Sequence, residues 1–153
     1  KEKCAYVVDE LGFDACVDYK AGNLYQDLKA ACPAGIDAYF ENVGGVTMDT
    51  VFRLLNPFSR VALCGMIADY NLPEAYGVRM MRSLLVNRVK LQGFIVFDRQ
   101  DLYPRAIAQL GSLVASGRLK YRETVADGLR SAPAAFIGLL AGRNFGKQLV
   151  KLV

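Results

Sequence analysis

Apolar positions recur in two rhythms along this chain, and the rhythm switches repeatedly. Cys4, Val7, Val8 and Leu11 fall at helical spacing and predict a helix over 1–11, ended by Gly12. Residues 15–19 are short and β-prone. Leu24, Leu28 and Ala31 predict a second helix, stopped by Pro33 and Gly35. Residues 36–40 read as a strand closed by Gly44-Gly45. Residues 46–55 read as a helix with Val51, Leu54 and Leu55 apolar, Asn56-Pro57 as a turn, and 60–64 as a strand. Residues 65–78, with Gly, Asn, Pro and Tyr, read as a loop. A helix over 79–88 and a strand over 89–96, containing Gly93, follow. The helix predicted over 101–116 tolerates Pro104 in its first turn and ends at Gly117. The remaining expectations are a strand over 119–125, a helix over 131–141 with Phe136, Leu139 and Leu140 inward, and a strand over 147–153.

Helices and strands alternate throughout, which predicts a parallel sheet flanked by helices. With right-handed crossovers the fold class is α/β, Rossmann-like and doubly wound. No repeat, low-complexity tract or linker interrupts the chain, so residues 1–153 are expected to form one partial Rossmann-like domain. Such a fold normally opens with a strand and a G-x-G-x-x-G turn, whose glycines let the backbone approach a pyrophosphate. This chain has no such motif and opens on a helix; Gly44-Gly45 alone reads first as a tight turn. In the usual strand order 3-2-1-4-5-6, absence of the first strands leaves residues 15–19 without a neighbour. The expectation is therefore an incomplete domain, lacking the first βαβ with its Gly-rich turn and any catalytic domain.

Composition narrows the function classes. At 153 residues and 53% hydrophobic, the chain can bury a sizeable core. No apolar run approaches the roughly 18 residues of a membrane span. The net charge of +4 is mild and its basic residues are scattered, so neither nucleic acid nor a membrane is expected as a partner. The chain has no histidine, and Cys4, Cys16, Cys32 and Cys64 form no C-x-x-C pair, so no metal site is expected. Each cysteine sits in an apolar stretch, which predicts reduced, buried thiols. The opening Lys-Glu-Lys has no apolar run behind it, so no signal peptide is read and a cytoplasmic protein is expected.

Five blocks carry a family resemblance. They are Lys3-Cys4 with Leu11-Gly12-Phe13-Asp14 and Asp18-Tyr19-Lys20, then Gly35-Ile36-Asp37-Ala38-Tyr39-Phe40-Glu41-Asn42-Val43-Gly44-Gly45, then Cys64-Gly65-Met66-Ile67-Ala68-Asp69-Tyr70-Asn71. Leu91-Gln92-Gly93-Phe94-Ile95-Val96 and Gly142-Arg143-Asn144-Phe145-Gly146-Lys147 complete the set. In this order they resemble the leukotriene B4 dehydrogenase, prostaglandin reductase and plant double-bond reductase family, zinc-independent medium-chain dehydrogenase/reductases. The bacterial curcumin-reductase-like members are the most similar. The resemblance covers essentially the whole chain; the blocks are specific together and weak singly.

The resemblance implies NADPH as cofactor and reduction of the C=C bond of α,β-unsaturated ketones and aldehydes. It implies that Lys3 and Tyr19 hold the adenosine 2′-phosphate; an ammonium and a phenol can both donate to that dianion. Without the resemblance, Lys3 reads as a solvated helix-end lysine. Asn42 matches a residue beside the cofactor and also reads as a turn-former. Cys64 to Tyr70 matches the loop along the nicotinamide, with Cys64, Gly65, Met66, Ile67 and Tyr70 as cofactor contacts; Cys64 has no base to activate it and reads as a packing residue. Tyr70 is the candidate catalytic residue, a phenol able to hydrogen-bond the enone oxygen, against the plainer reading of a loop aromatic that packs. Phe94, Ile95 and Val96 match a strand end beside the nicotinamide, and Gly93 reads there as permitting close approach or as a bulge in a core strand. Asn144 matches a late cofactor contact or a helix-end turn. The chain departs from the family at Ala68, where many members carry Ser, so one polar contact is missing.

Tyr25 and Lys29 fit Y-x-x-x-K, a pair that chance supplies readily in a Tyr-rich chain and that no Gly-rich N-terminus supports here. The leading expectation is a fragment of an NADPH-dependent enone reductase, inactive in isolation. The alternative is a non-catalytic Rossmann-like fragment serving as an interaction or oligomerisation module. A zinc alcohol dehydrogenase fragment is disfavoured by the missing ligands. The resemblance also implies a homodimer through an edge strand, either 89–96 or one of the last strands.

Overall fold

Residues 1–152 are described by the computed structural model. Three of the expected strands pair side by side: β1 (Ile36–Glu41), β2 (Leu55–Leu63) and β3 (Lys90–Gly93), in that order. Both pairings are parallel, with Tyr39 beside Val61 and Val61 beside Leu91. Parallel neighbours need crossovers, and helices supply them. Here α1 is Glu2–Asp9 and α2 is Leu24–Ala31; α3 (Gly45–Phe52) links β1 to β2, and α4 (Met81–Val86) precedes β3. Met48, Val51 and Phe52 stand at i, i+3 and i+4, so one face of α3 carries all three into the core beside Leu55 and Val61. Burying Phe52 alone contributes roughly 1.5–3 kcal/mol. The opposite face of the sheet is open, with Phe40 62% exposed. A groove of about 710 Å³ runs along that face between Ala38, Phe40, Arg60, Ala62, Gln92 and Phe94.

Phe13–Asp101, with Lys1, make up one compact unit that holds this sheet. Glu2–Gly12 and the chain from Leu102 onward make up another. The second contains α1, α5 (Tyr103–Ala115), β4 (Glu123–Asp127), α6 (Ala132–Leu140) and β5 (Lys147–Lys151). β4 and β5 pair in parallel, Val125 beside Leu149, with α6 as their crossover. Tyr6 meets Phe145 edge-on at 5.1 Å between ring centres, and the Arg122 guanidinium lies 3.9 Å from the Phe145 ring. The Thr124 hydroxyl donates to the Phe145 carbonyl at 2.8 Å and accepts the Phe145 N–H at 2.9 Å. Every strand pair is parallel and every crossover helical, so the fold is α/β and Rossmann-like, with its described strands in a three-stranded and a two-stranded sheet.

Several sequence expectations change, among them the strand over 89–96, which ends at Gly93, and the inward Phe136, Leu139 and Leu140, which are exposed. Residues 15–19 are not a strand; Lys20 N–H and Ala21 N–H bind Asp18 instead, closing a turn. A strand exists only where a neighbour takes its N–H and C=O groups, and no ladder runs beside this segment. Asn56-Pro57 is not a turn between elements but a bulge within β2: Ile36 faces Leu55 while Ala38 faces Arg60, and Phe58 takes a φ of 63°. Pro in a strand with neighbours on both sides is tolerated because the bulge frees it from the ladder. The last two strands take their limits from each other, so the strand expected at 119–125 begins at Glu123 and its partner ends at Lys151; Val153 lies outside the described residues. The cysteines are not buried: Cys4 and Cys32 are half-buried, and Cys16 and Cys64 are exposed. Apolar sequence neighbours did not bury them: the two exposed ones, Cys16 and Cys64, lie on segments outside the strands and helices.

Candidate functional site

Open parallel sheets bind ligands beyond the carboxyl ends of their strands. In this sheet those ends lead into the segments after Glu41, after Leu63 and after Gly93. The first is tight because Gly44, at φ 78°, turns directly into α3. A Cβ on Gly44 would lie 3.1 Å from the Met66 Cβ, so the two loops touch here. They are also hydrogen-bonded: Ile67 N–H donates to the Asn42 carbonyl at 3.3 Å, and Ala68 N–H to the Val43 carbonyl at 2.8 Å.

Gly65 is the closest approach. A Cβ there would stand 2.5 Å from Asn42 Oδ1 and 3.2 Å from the Tyr70 hydroxyl. The Asn42 carboxamide and the Tyr70 phenol therefore converge over the backbone of Gly65, where an added methyl would have to push the Asn42 side chain aside. Tyr70 is 68% exposed, and among the described residues neither side chain spends a hydrogen bond. A free donor and a free amide at adjoining positions can serve a carbonyl-bearing ligand.

The remaining sequence candidates fall as follows. Cys64 N–H donates to the Glu41 carbonyl at 2.8 Å, and its thiol is exposed. Met66 leads into a single 3₁₀ turn, Ile67–Asp69, with Ile67 58% exposed. Phe94 meets Phe40 edge-on, centroids 6.0 Å apart, on the open sheet face. Ile95 and Val96 follow it, both exposed, with Ile95 N–H held by Asp98 Oδ2 at 2.9 Å. Tyr19 is exposed, with the Lys20 ammonium 5.6 Å from its ring centre. Lys3 and Asn144 belong to the other unit. There Lys3 Nζ donates to the Gly142 carbonyl at 2.7 Å, just past the end of α6. An ammonium has three protons, so this bond orients it and leaves two for a ligand. Asn144 Nδ2 donates to the Gly146 carbonyl at 2.6 Å, so its amide nitrogen already serves the turn into β5.

Two buried acids escaped the sequence reading. Glu41 is 0% exposed; its carboxylate accepts the N–H groups of Val43 and Gly44 on Oε1 and the Tyr39 hydroxyl on Oε2 at 2.6 Å. Burial, and then the Glu41 carboxylate beside it, push the Tyr39 phenol far above its ordinary value. Asp49, 6% exposed on α3, accepts the Tyr76 hydroxyl at 2.7 Å and the Met80 N–H at 3.0 Å, tying the end of the 65–78 loop to the core helix. The Asp49 bond raises the Tyr76 phenol too. An acid at the end of an apolar strand was the available signal for Glu41; an isolated Asp inside an apolar helix face was that for Asp49.

Among the described residues, no three His, Cys, Asp or Glu side chains are grouped to hold a metal. A zinc ion would need such a donor set, and these residues do not fit one. No helix among them is long and apolar enough to cross a membrane.

Comparison with known proteins places the chain. Residues 1–112 match the family described as zinc-binding dehydrogenase. The chain is 44% identical to the NADP(+)-dependent 2-alkenal reductase of Nicotiana tabacum over 98% of its own length and 44% of that protein's. It is 41% identical to the NADPH-dependent curcumin reductase of Escherichia coli (strain K12), over 99% of its length and 46% of that protein's. The structure of CurA from Vibrio vulnificus in complex with NADPH superposes with a TM-score of 0.90 at 46% identity, covering 100% of this chain and 47% of that one. The chain thus spans less than half the length of these relatives. With the parallel α/β fold and the five sequence blocks, the match assigns it: the chain belongs to the zinc-binding dehydrogenase family, in its zinc-independent double-bond reductase branch.

Proposed function

We propose that this chain is the partial cofactor-binding domain, residues 1–153, of an NADPH-dependent reductase acting on the C=C bond of α,β-unsaturated ketones and aldehydes. The observation that carries the reading is the convergence of Asn42 and Tyr70 over Gly65, at the carboxyl ends of parallel strands. The names of the relatives, an alkenal reductase and a curcumin reductase, support the substrate class.

When bound, NADPH supplies a hydride for the β-carbon of the acceptor, and a proton completes the reduction at the α-carbon. The protein's own groups bind and orient. Lys3 and Tyr19 each offer a donor to the adenosine 2′-phosphate. Asn42, the 64–67 segment, residues 94–96 and Asn144 line the cofactor. Tyr70 donates to the substrate oxygen and stabilises the enolate charge as it develops. The dimeric state and the cytoplasmic location belong to the same reading.

Tyr70→Phe is therefore expected to lower kcat for a simple enone about tenfold or more, below the roughly 100- to 1,000-fold of a buried oxyanion donor because Tyr70 is exposed. NADPH affinity should hold. Steady-state kinetics on the protein from the complete gene checks this; an unchanged kcat removes Tyr70 from the chemistry.

The reading as a whole is tested by calorimetric titration of this chain with NADPH and, separately, NADH. Preferential NADPH binding supports it. Binding of neither means that the Gly-rich segment is indispensable for the cofactor or that the reading is wrong.

A further inference from the structure

Glu41 occupies a position no part of the reductase reading uses. It is the last residue of β1 and fully buried, a costly place for a carboxylate unless its lone pairs are met. They are met locally. Oε1 accepts the Val43 and Gly44 N–H groups, the latter at 2.9 Å, and Oε2 accepts the Tyr39 hydroxyl at 2.6 Å. The backbone of the same residue serves the other loop, its carbonyl accepting the N–H groups of Cys64 at 2.8 Å and Gly65 at 3.2 Å. One residue thus grips both loops, and Asn42 lies between its two grips.

The carbonyls of the 42–44 turn are tied to their surroundings, Asn42 and Val43 accepting from Ile67 and Ala68, while the N–H groups of Val43 and Gly44 are met by the Glu41 carboxylate. Gly44 and Gly45 both take positive φ, 78° and 57°, so the local backbone is not restrained by side-chain sterics. The carboxylate supplies that restraint through its bonds to the Val43 and Gly44 N–H groups. We propose that Glu41 is a positioning residue of the reductase site: its buried carboxylate fixes the Val43–Gly44 turn and thereby holds the Asn42 carboxamide against Gly65 and Tyr70. This rests on the reductase function proposed above. A displacement of about 1 Å at such a site can cost up to about 100-fold in rate, so the geometry has leverage.

The test uses the protein from the complete gene, with NADPH and but-3-en-2-one. Glu41→Asp keeps the charge but withdraws the carboxylate by one methylene, out of reach of the two N–H groups. Glu41→Gln keeps an acceptor oxygen at the same reach and loses the charge; its amide can face a Tyr39 hydroxyl turned to accept. Glu41→Asp is expected to lower kcat at least tenfold and to raise KM for NADPH by a smaller factor, because the displaced Asn42 also lines the cofactor. Glu41→Gln is expected to recover most of that loss, within about threefold of the unaltered protein. Tyr70→Phe added to Glu41→Asp should cost much less than it does alone, because the pair is already misaligned. A Glu41→Asp protein that melts earlier but turns over normally overturns the proposal and leaves Glu41 a stability element. If Glu41→Asp does not fold, Glu41→Gln decides: loss of more than tenfold at an unchanged melting temperature shows that the charge itself acts, which also overturns positioning. An unaltered protein that reduces no enone with NADPH sinks the reductase reading, and this proposal with it; an active one with an unaffected Glu41→Asp variant sinks the proposal alone.

Discussion

Lys3→Ala is expected to weaken NADPH binding about tenfold or more and to leave NADH binding nearly unchanged. A hydrogen bond to a charged group contributes about 1.5–3 kcal/mol, and the lower end applies because Lys3 is exposed and screened by water. The two cofactors differ only in the 2′-phosphate, so the difference between their affinity changes isolates that contact. The competing role is visible in the structure: Lys3 Nζ already donates to the Gly142 carbonyl at 2.7 Å, where a cation satisfies the end of α6. If that were its whole role, Lys3→Ala would lower stability by about 0.5–1.5 kcal/mol and weaken both cofactors alike or neither. Calorimetric dissociation constants for NADPH and NADH, measured on the protein from the complete gene, separate the two.

The largest effect on stability is expected from Gly146→Ala. A Cβ at this position would stand 1.8 Å from the Arg122 carbonyl oxygen and 2.5 Å from its carbon, both backbone atoms with no rotamer to yield. The residue also has a φ of 72°, a conformation that costs an L-residue about 1–2 kcal/mol by itself. Relief requires β4 and β5 to part at their first pair, which breaks the Lys147 N–H bond to the Arg122 carbonyl at 2.8 Å. A loss of about 3 kcal/mol or more follows, in the range reserved for strain at special backbone positions. Gly117→Ala is the control: its φ is 68°, but nothing lies within 4 Å of the added methyl, so only the backbone cost remains. Thermal unfolding compares the two, and amide exchange at Val125 and Leu149 reports whether the ladder opened. Equal destabilisation by both substitutions would show that the close approach at Gly146 carries no weight.

The elements themselves were largely legible. Met48, Val51 and Phe52 sit at helical spacing beside two β-prone runs, and the core assembled from those residues follows that spacing. The helix expected to run to Leu55 stops at Phe52, yet Leu55 still enters the core as the first residue of β2. The end of an element is set by where pairing begins, and a hydrophobic pattern does not record it. Asn56-Pro57 shows the same limit: the residues signal a break, but only the register against β1 makes that break a bulge rather than a turn.

For the candidate site the division is sharper. The motif blocks put Asn42, the 64–67 segment and Tyr70 on loops after strands, because glycines and strand ends are local features of sequence. That Asn42 and Tyr70 meet over Gly65 is a matter of two loops from parallel neighbours lying side by side, and the spacing between residues 42 and 70 holds no trace of it. Glu41 is the clearest case. Read along the chain it is one acid among 15 acidic residues, marked only by its place at the end of an apolar strand. Its burial depends on β2 passing beside β1 and on α3 turning back over both, which supplies the N–H groups that make a carboxylate tolerable there. The sequence by itself determined the alternation of helix and strand, the parallel α/β class and the family, since these rest on local periodicity and short motifs. The tertiary structure alone decided which polar groups are buried and which meet, because desolvation and hydrogen-bond partnership are properties of neighbours in space.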